Sequence, residues 1–347
     1  MKHFVGLDVS QDLTHICIVD SDGKTKWQGK CKSTPEEIAE TVKARGLDIE
    51  RIGLETGPLS NWHWRELTNM DLPVVCMDAR HVNGILKLRK INKTDKNDAQ
   101  GLAQIVRTGF YQEVSIKSPD SHTVRAMLGV RSQVVGMRVK TTNQIRGILK
   151  NFGIVLKKGS GKSFKERVIA ISEGPGLLNE TLRALLAVME SLEVQIEVLD
   201  RKAHNFAKGN KTCRTLMTIP GVGAITATAF VTSVEDPARF KRSLDVGAYF
   251  GLSPKRYQSG ERDVNTRISR WGDGLVRSYL YEAANALLLR GEQWSSLKAW
   301  GIRIAKRSGI NKAKVAVARK LAVIMHRMWV DGTEFRWSNS GEKVVPT

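Results

Sequence analysis

Seven residues, Lys93-Thr94-Asp95-Lys96-Asn97-Asp98-Ala99, set two carboxylates three positions apart among lysines. The apolar positions that follow (Ala99, Leu102, Ala103, Ile105 and Val106) have helical spacing, so Asp95 and Asp98 should share one face of a helix start. Two more acids, Asp8 in GLDVS and Glu55 in GLETG, end short apolar runs that read as strands. Four such carboxylates could hold divalent cations, since Mg²⁺ prefers hard oxygen ligands. Two ions about 4 Å apart would activate the attacking oxygen of a phosphodiester exchange and stabilise the leaving one. A Thr-Asp-x-x-Asp helix start can also be an ordinary cap that complements the helix dipole. Capping gives no reason for acids on two strand ends, so the metal reading is preferred.

A second group of candidates lies late in the chain. Leu216 to Gly223 (LMTIPGVG), followed by Ala224 to Val231, has the form of a helix-hairpin-helix. In that motif the backbone N–H groups around Gly221 and Gly223 can approach a DNA phosphate. Further on, Tyr257-Gln258-Ser259-Gly260 precedes a basic run through Arg262, Arg267, Arg270 and Arg277. A hydroxyl beside a glycine and flanked by guanidiniums could be a nucleophile with its phosphate clamp. By residue chemistry alone it is equally a polar turn.

The elements that must position these residues follow from patterning. Phe4 to Val9, Thr14 to Val19 and Thr25 to Lys30 read as three antiparallel strands, the last two joined at Ser21-Asp22-Gly23-Lys24. A helix from Pro35 to about Arg45, a strand from Arg51 to Glu55, a helix from Ser60 to Asp71 and a strand from Pro73 to Met77 come next. Helices are expected from about Ala79 and from Asp95. That order resembles a ribonuclease-H-like α/β fold, with acids on the first strand, the fourth strand and a late helix. Residues 117–210 read as helical, interrupted by a Gly, Lys and Ser loop at Lys157 to Ser163. Leu178, Leu182, Leu185, Met189, Leu192, Ile196, Leu199, Ala203 and Phe206 keep heptad spacing. They predict a coiled-coil arm for dimerisation, or two helices packed within one chain. The domain expectation is therefore 1–116 for the acidic catalytic domain, 117–210 for the helical arm, and 211–347 for a mainly α domain with the serine and a basic tail.

Charge names the partner class. The 347 residues carry 55 Lys and Arg against 35 Asp and Glu, a formal net charge of +20. Ser121 to Lys165 holds ten cations and no acid, and Gln293 to Val330 holds nine and none. Such tracts favour polyanions, because neutralised phosphates release counterions. Four cysteines without CxxC spacing argue against a zinc ribbon and suit a reducing compartment. With no stretch of membrane-spanning length and no signal-like start, the expectation is a cytoplasmic protein, on the nucleoid when bound to DNA.

Together GLDVS, LETG, KTDKNDA, the PGVG turn and FGLSPKRYQSGERDVNTRISRWGD resemble the DEDD-type insertion-sequence transposases of the insertion-sequence one-ten family, in order, from about Phe4 to about Leu289. The resemblance implies a resolvase-like (RuvC-like) N-terminal domain, a coiled coil and a C-terminal transposase domain. It places the family's acidic tetrad on Asp8, Glu55, Asp95 and Asp98, with Mg²⁺ as the expected cofactor, and its nucleophilic serine on Ser259 rather than Ser253. It further implies donor and target DNA as substrates, a structured bridge RNA encoded by the element as guide, and a dimer or tetramer with a composite site. A lysine often follows the first motif in the family, where this chain has Gln11; that bears only on the subgroup.

Two rivals stand beside this reading. A metal-dependent junction resolvase or nuclease would need the four acids but use water, leaving Ser259 a turn residue. An inactive relic that binds nucleic acid without cutting it should tend to have lost tetrad acids, and none is absent. Rolling-circle chemistry would need a His-x-His pair, which the seven histidines do not form.

Overall fold

The structure, a computed structural model, describes residues 1–88, 92, 94–157, 159, 161–290 and 294–337. The chain divides into two compact units, Met1–Ser118 and Pro119–Thr347.

The first unit is built on a five-stranded mixed sheet in the order β3-β2-β1-β4-β5. Strands β1 (His3–Val9), β2 (Leu13–Asp20) and β3 (Thr25–Lys32) form an antiparallel meander, while β4 (Ile49–Glu55) and β5 (Val74–Met77) add in parallel beside β1. Strand alternation divides the side chains between two cores. Val5, Leu7, Ile16, Ile18, Ile52 and Leu54 face one side. There they pack with Ile38 and Val42 of α1 (Pro35–Lys43) and Leu67 of α2 (Ser60–Asn69). Thr34 caps α1, its hydroxyl accepting from the Glu37 N–H, with Pro35 at the first helical position. Phe4, Cys17, Val19 and Met77 face the other side, toward α3 (Ala79–Leu88) and α4 (Asp95–Thr108). Both helices begin where the sequence places them.

In the second unit, α5 (Pro119–Asn151) and α7 (Leu177–Gly209), of 33 residues each, lie antiparallel. Arg131 pairs with Asp200, Arg138 reaches Glu193 at 4.0 Å, and the Thr142 hydroxyl donates to the Met189 sulfur, fixing the register. The heptad positions of α7 thus meet α5 of the same chain. Leu182, Leu186 and Met189 join Ile145 and Leu149, with Phe164 and Val168 of α6 (Lys162–Ile171) closing that end. Part of the loop from Lys157 to Ser163 lies outside the described residues.

Helix α9 (Ala224–Val234) is almost wholly buried. It lies in one core with α8 (Lys211–Leu216), α10 (Asp245–Tyr249), α11 (Gly274–Leu289), α12 (Ser296–Ser308) and α13 (Ile310–Asp331). The sequence reading contains no strand in this part of the chain. The structure has a two-stranded antiparallel hairpin, β6 (Pro254–Ser259) and β7 (Arg262–Ile268). Its apolar residues, Tyr257, Val264 and Ile268, are too few and too widely spaced to set an alternating pattern. Among the described residues, no helix is long and apolar enough to cross a membrane.

Candidate catalytic residues

Asp8 and Glu55 come from neighbouring parallel strands. Leu7 pairs with Leu54, so the two acids are the next residues along β1 and β4. Each lies two positions beyond a glycine that faces α4. A Cβ on Gly6 would fall 2.2 Å from the backbone of Ala99 and of Ala103, and one on Gly53 would fall 3.0 Å from Val106. Asp8 and Glu55 therefore point to the α4 side of the sheet. Helix α4 runs against the direction of β1: along β3, which has the same sense as β1, Thr25 accepts from Gln100 whereas Gln28 donates to the Lys96 carbonyl. Its N-terminal turn, with Asp95 and Asp98, consequently extends toward the strand end that carries Asp8.

Capping at this helix is done by the neighbouring residue. The Thr94 hydroxyl accepts from the Asn97 N–H at 3.2 Å, and the Asp98 N–H donates to the Thr94 carbonyl. Lys93, the first residue of the motif, lies outside the described residues. The structure adds a residue that the sequence reading omits: His15 is the cross-strand partner of Asp8, and its Nδ1 lies 3.7 Å from Asp95 Oδ2. Only strand pairing brings position 15 to position 95, and no motif marks it. Among the described residues, no three His, Cys, Asp or Glu side chains are grouped closely enough to hold a metal ion. The donor set still fits one, because four carboxylates supply the hard oxygens that Mg²⁺ takes.

Ser259 is the last residue of β6, directly opposite Arg262 across a two-residue loop. Gly260 opens that loop with φ +55°, the conformation glycine supplies at the first central position of a tight hairpin turn. Tyr257, Ser259, Arg262 and Val264 share one face, and the Arg262 guanidinium lies 6.0 Å from the Tyr257 ring centre. On the other face Arg256 binds Asp263 with both ends of its fork, at 2.7 and 2.8 Å. All of β6 is exposed, so Ser259 stands at the tip of a solvated hairpin whose register is held by its own ion pair.

The remaining candidates fall into two classes. Arg267 and Arg270 line a groove of about 420 Å³ together with Lys255, Thr266, Ile268 and Ser269. Arg277 instead donates to the Phe250 carbonyl at 2.9 Å and the Trp271 carbonyl at 3.3 Å; burial, then the charge of Arg270, pulls its pKa down. Gly221, at φ +84°, is pressed against α11, where a Cβ would fall 2.4 Å from the Ala283 carbonyl oxygen. Gly223 is exposed at the start of α9, with nothing within 4 Å of a built Cβ. Both glycines are exposed. Cys76 and Cys213 are no nucleophiles, since burial pushes their thiols up to about 11 and about 12.

Comparison with known proteins agrees with the order of these motifs. The transposase family DEDD_Tnp_IS110 matches residues 5–154, and the family described as "Transposase IS116/IS110/IS902 family" matches residues 213–299. The transposase for insertion sequence element IS1111A of Coxiella burnetii is 30% identical over 92% of this chain and 88% of its own length. The transposase for insertion sequence element IS1328 of Yersinia enterocolitica is 31% identical over 95% of this chain and 98% of its own. Likeness of that extent, running through both units, shows that the chain belongs to the IS110 family of DEDD transposases and is a DNA transposase.

Proposed function

We propose that this transposase moves its own insertion sequence by attack of Ser259 on a DNA phosphate, assisted by the Asp8, Glu55, Asp95 and Asp98 carboxylates. The observation that carries the proposal is the shared orientation of the acids. Two neighbouring strand ends and one helix start direct them to the same side of the sheet.

The carboxylates would hold Mg²⁺, which supplies Lewis-acid stabilisation of charge on the phosphate oxygens when bound. The chain's own residues do the rest. The exposed Ser259 Oγ forms a bond to phosphorus while a P–O bond of the DNA breaks, and the Ser259 proton passes to the departing DNA hydroxyl. The phosphoserine conserves the bond, so attack by another strand's hydroxyl restores the serine and joins new ends. Arg262, directly across from Ser259, is placed to balance phosphate charge.

Donor and target DNA are the substrates in this reading, and a structured bridge RNA encoded by the element aligns them. The net charge of +20 and the two acid-free tracts provide surface for both polyanions. The chain acts as a dimer or tetramer, with acids and serine serving one phosphodiester. The α5–α7 pair, closed within the chain along the heptad face of α7, is the candidate arm, and the turn at Gly223 is the phosphate-binding part of a helix-hairpin-helix.

The test is strand transfer on donor and target DNA with co-expressed RNA. Asp8→Asn, Glu55→Gln, Asp95→Asn and Asp98→Asn should each lower the rate by about 100-fold or more, with thermal stability retained. Omitting the RNA should abolish site choice. A rate unchanged in all four variants would overturn the assignment of the acids.

A further inference from the structure

Trp271 has no part in the chemistry above, yet the fold presents it with care. Its side chain is among the large apolar ones left exposed, at 63%. Its backbone, in contrast, is tightly fixed. Arg270 before it takes φ +58°, a left-handed conformation uncommon outside glycine, and Gly272 after it takes φ +76°. A Cβ on Gly251 would fall 2.1 Å from the Trp271 carbonyl oxygen, and one on Gly272 would fall 1.9 Å from that of Tyr249. The Arg270 N–H donates to the Gly251 carbonyl, the Ser269 N–H to the Ser253 carbonyl, and Arg277 to the Trp271 carbonyl. The turn is thus strapped to the segment that leads into β6. With its backbone held, an exposed indole has only two side-chain torsions to fix when a ligand covers it.

The surroundings define the ligand. Lys255, Arg267 and Arg270 line the groove at the base of the hairpin, and Trp271 follows Arg270 directly in the chain, next to that groove's lining rather than within it. Centres of protein–protein interfaces are depleted of charge, whereas an aromatic platform among cations is the chemistry of single-stranded nucleic acid binding. We infer that Trp271 stacks on an unpaired base of DNA opened at the recombination site, while Lys255, Arg267 and Arg270 hold the flanking phosphates. The inference rests on the reading of this hairpin as the part of the chain that meets DNA. Between Arg262 and Ile268 the strand covers about 20 Å, at about 3.4 Å per residue. Trp271 is therefore a positioning residue, set several nucleotides from the phosphate that Ser259 attacks.

The test uses the full chain and measures fluorescence anisotropy with four probes: a short labelled oligothymidylate, the same backbone bearing abasic sites, the matching RNA, and a duplex. Wild-type protein should bind the base-bearing DNA more tightly than the abasic strand. Trp271→Ala should weaken the single strand by about 5- to 150-fold and leave the duplex unchanged, and Trp271→Phe should recover most of the loss. Equal wild-type affinity for the base-bearing and abasic strands would overturn the inference without reliance on any variant. So would a folded Trp271→Ala that binds the single strand normally, or an indole-dependent preference for the RNA. Anisotropy reads binding without strand transfer. A missing phosphoserine with the Trp271 effect intact therefore counts against the serine alone, and the converse counts against the stacking alone.

Discussion

Asp273 shows how one carboxylate can secure several elements. It caps α11 by accepting from the Leu275 and Val276 N–H groups at 2.9 and 3.1 Å, and Arg125 of α5 reaches it at 2.5 Å. Burial pushes its pKa up, but the Arg125 charge and the two N–H donors outweigh burial and hold it below the usual carboxylate range. A carboxyl group depressed on folding stabilises above its unfolded pKa, and the gain is lost as pH falls through the folded value. Asp273→Asn should therefore cost about 2 kcal/mol at neutral pH. Below about pH 4 the gap from wild type should narrow in denaturant titrations. At this scale the sequence discloses residues whose type and neighbours form a local motif, such as Asp8, Glu55 and the Asp95/Asp98 pair. It does not disclose His15, or the placement of Arg277 and Gly221. Their partners lie tens of residues away, and only the folded chain brings them within reach.

Among the elements, the contact between α4 and β1 sets where the Asp95/Asp98 turn lies relative to the strand ends that carry Asp8 and Glu55. Gly6 allows it, since its missing side chain leaves room for the helix backbone. Gly6→Ala places a methyl 2.2 Å from backbone atoms of Ala99 and Ala103, which cannot swing aside as a side chain would. The variant should lose about 1–3 kcal/mol or more by denaturant midpoint, and strand transfer with it. Gly84→Ala in α3, where nothing lies within 4 Å of the new methyl, should be neutral or gain up to about 1 kcal/mol, as alanine does in helices. The strands and helices of the first unit were legible because buried faces impose periods of 2 and 3.6. The heptads of α7 were equally plain, but a seam does not say whose helix fills it, and here α5 does. The β6–β7 hairpin was illegible for the opposite reason: in a solvated hairpin held by Arg256 and Asp263 the few apolar residues, Tyr257, Val264 and Ile268, set no period.

For the whole molecule, the two units carry different proposed chemistry, carboxylates to hold a metal ion in Met1–Ser118 and a serine nucleophile in Pro119–Thr347. The family, the nucleic-acid partner class and the motif order could all be read from the sequence. Neither the exposure of Ser259 nor the strapped turn at Trp271 could be: the first belongs to a solvated hairpin that leaves no apolar pattern, and the second depends on packing between separated segments. The most direct measurement is covalent trapping. Protein with its co-expressed RNA is incubated with labelled donor and target DNA and Mg²⁺, denatured, and digested for mass analysis. A phosphoserine adduct is expected at Ser259, lost in Ser259→Ala, in Asp95→Asn and on chelation of the metal. Cleavage that leaves no adduct and survives Ser259→Ala but not Asp95→Asn would contradict it and assign the chemistry to a water-using nuclease.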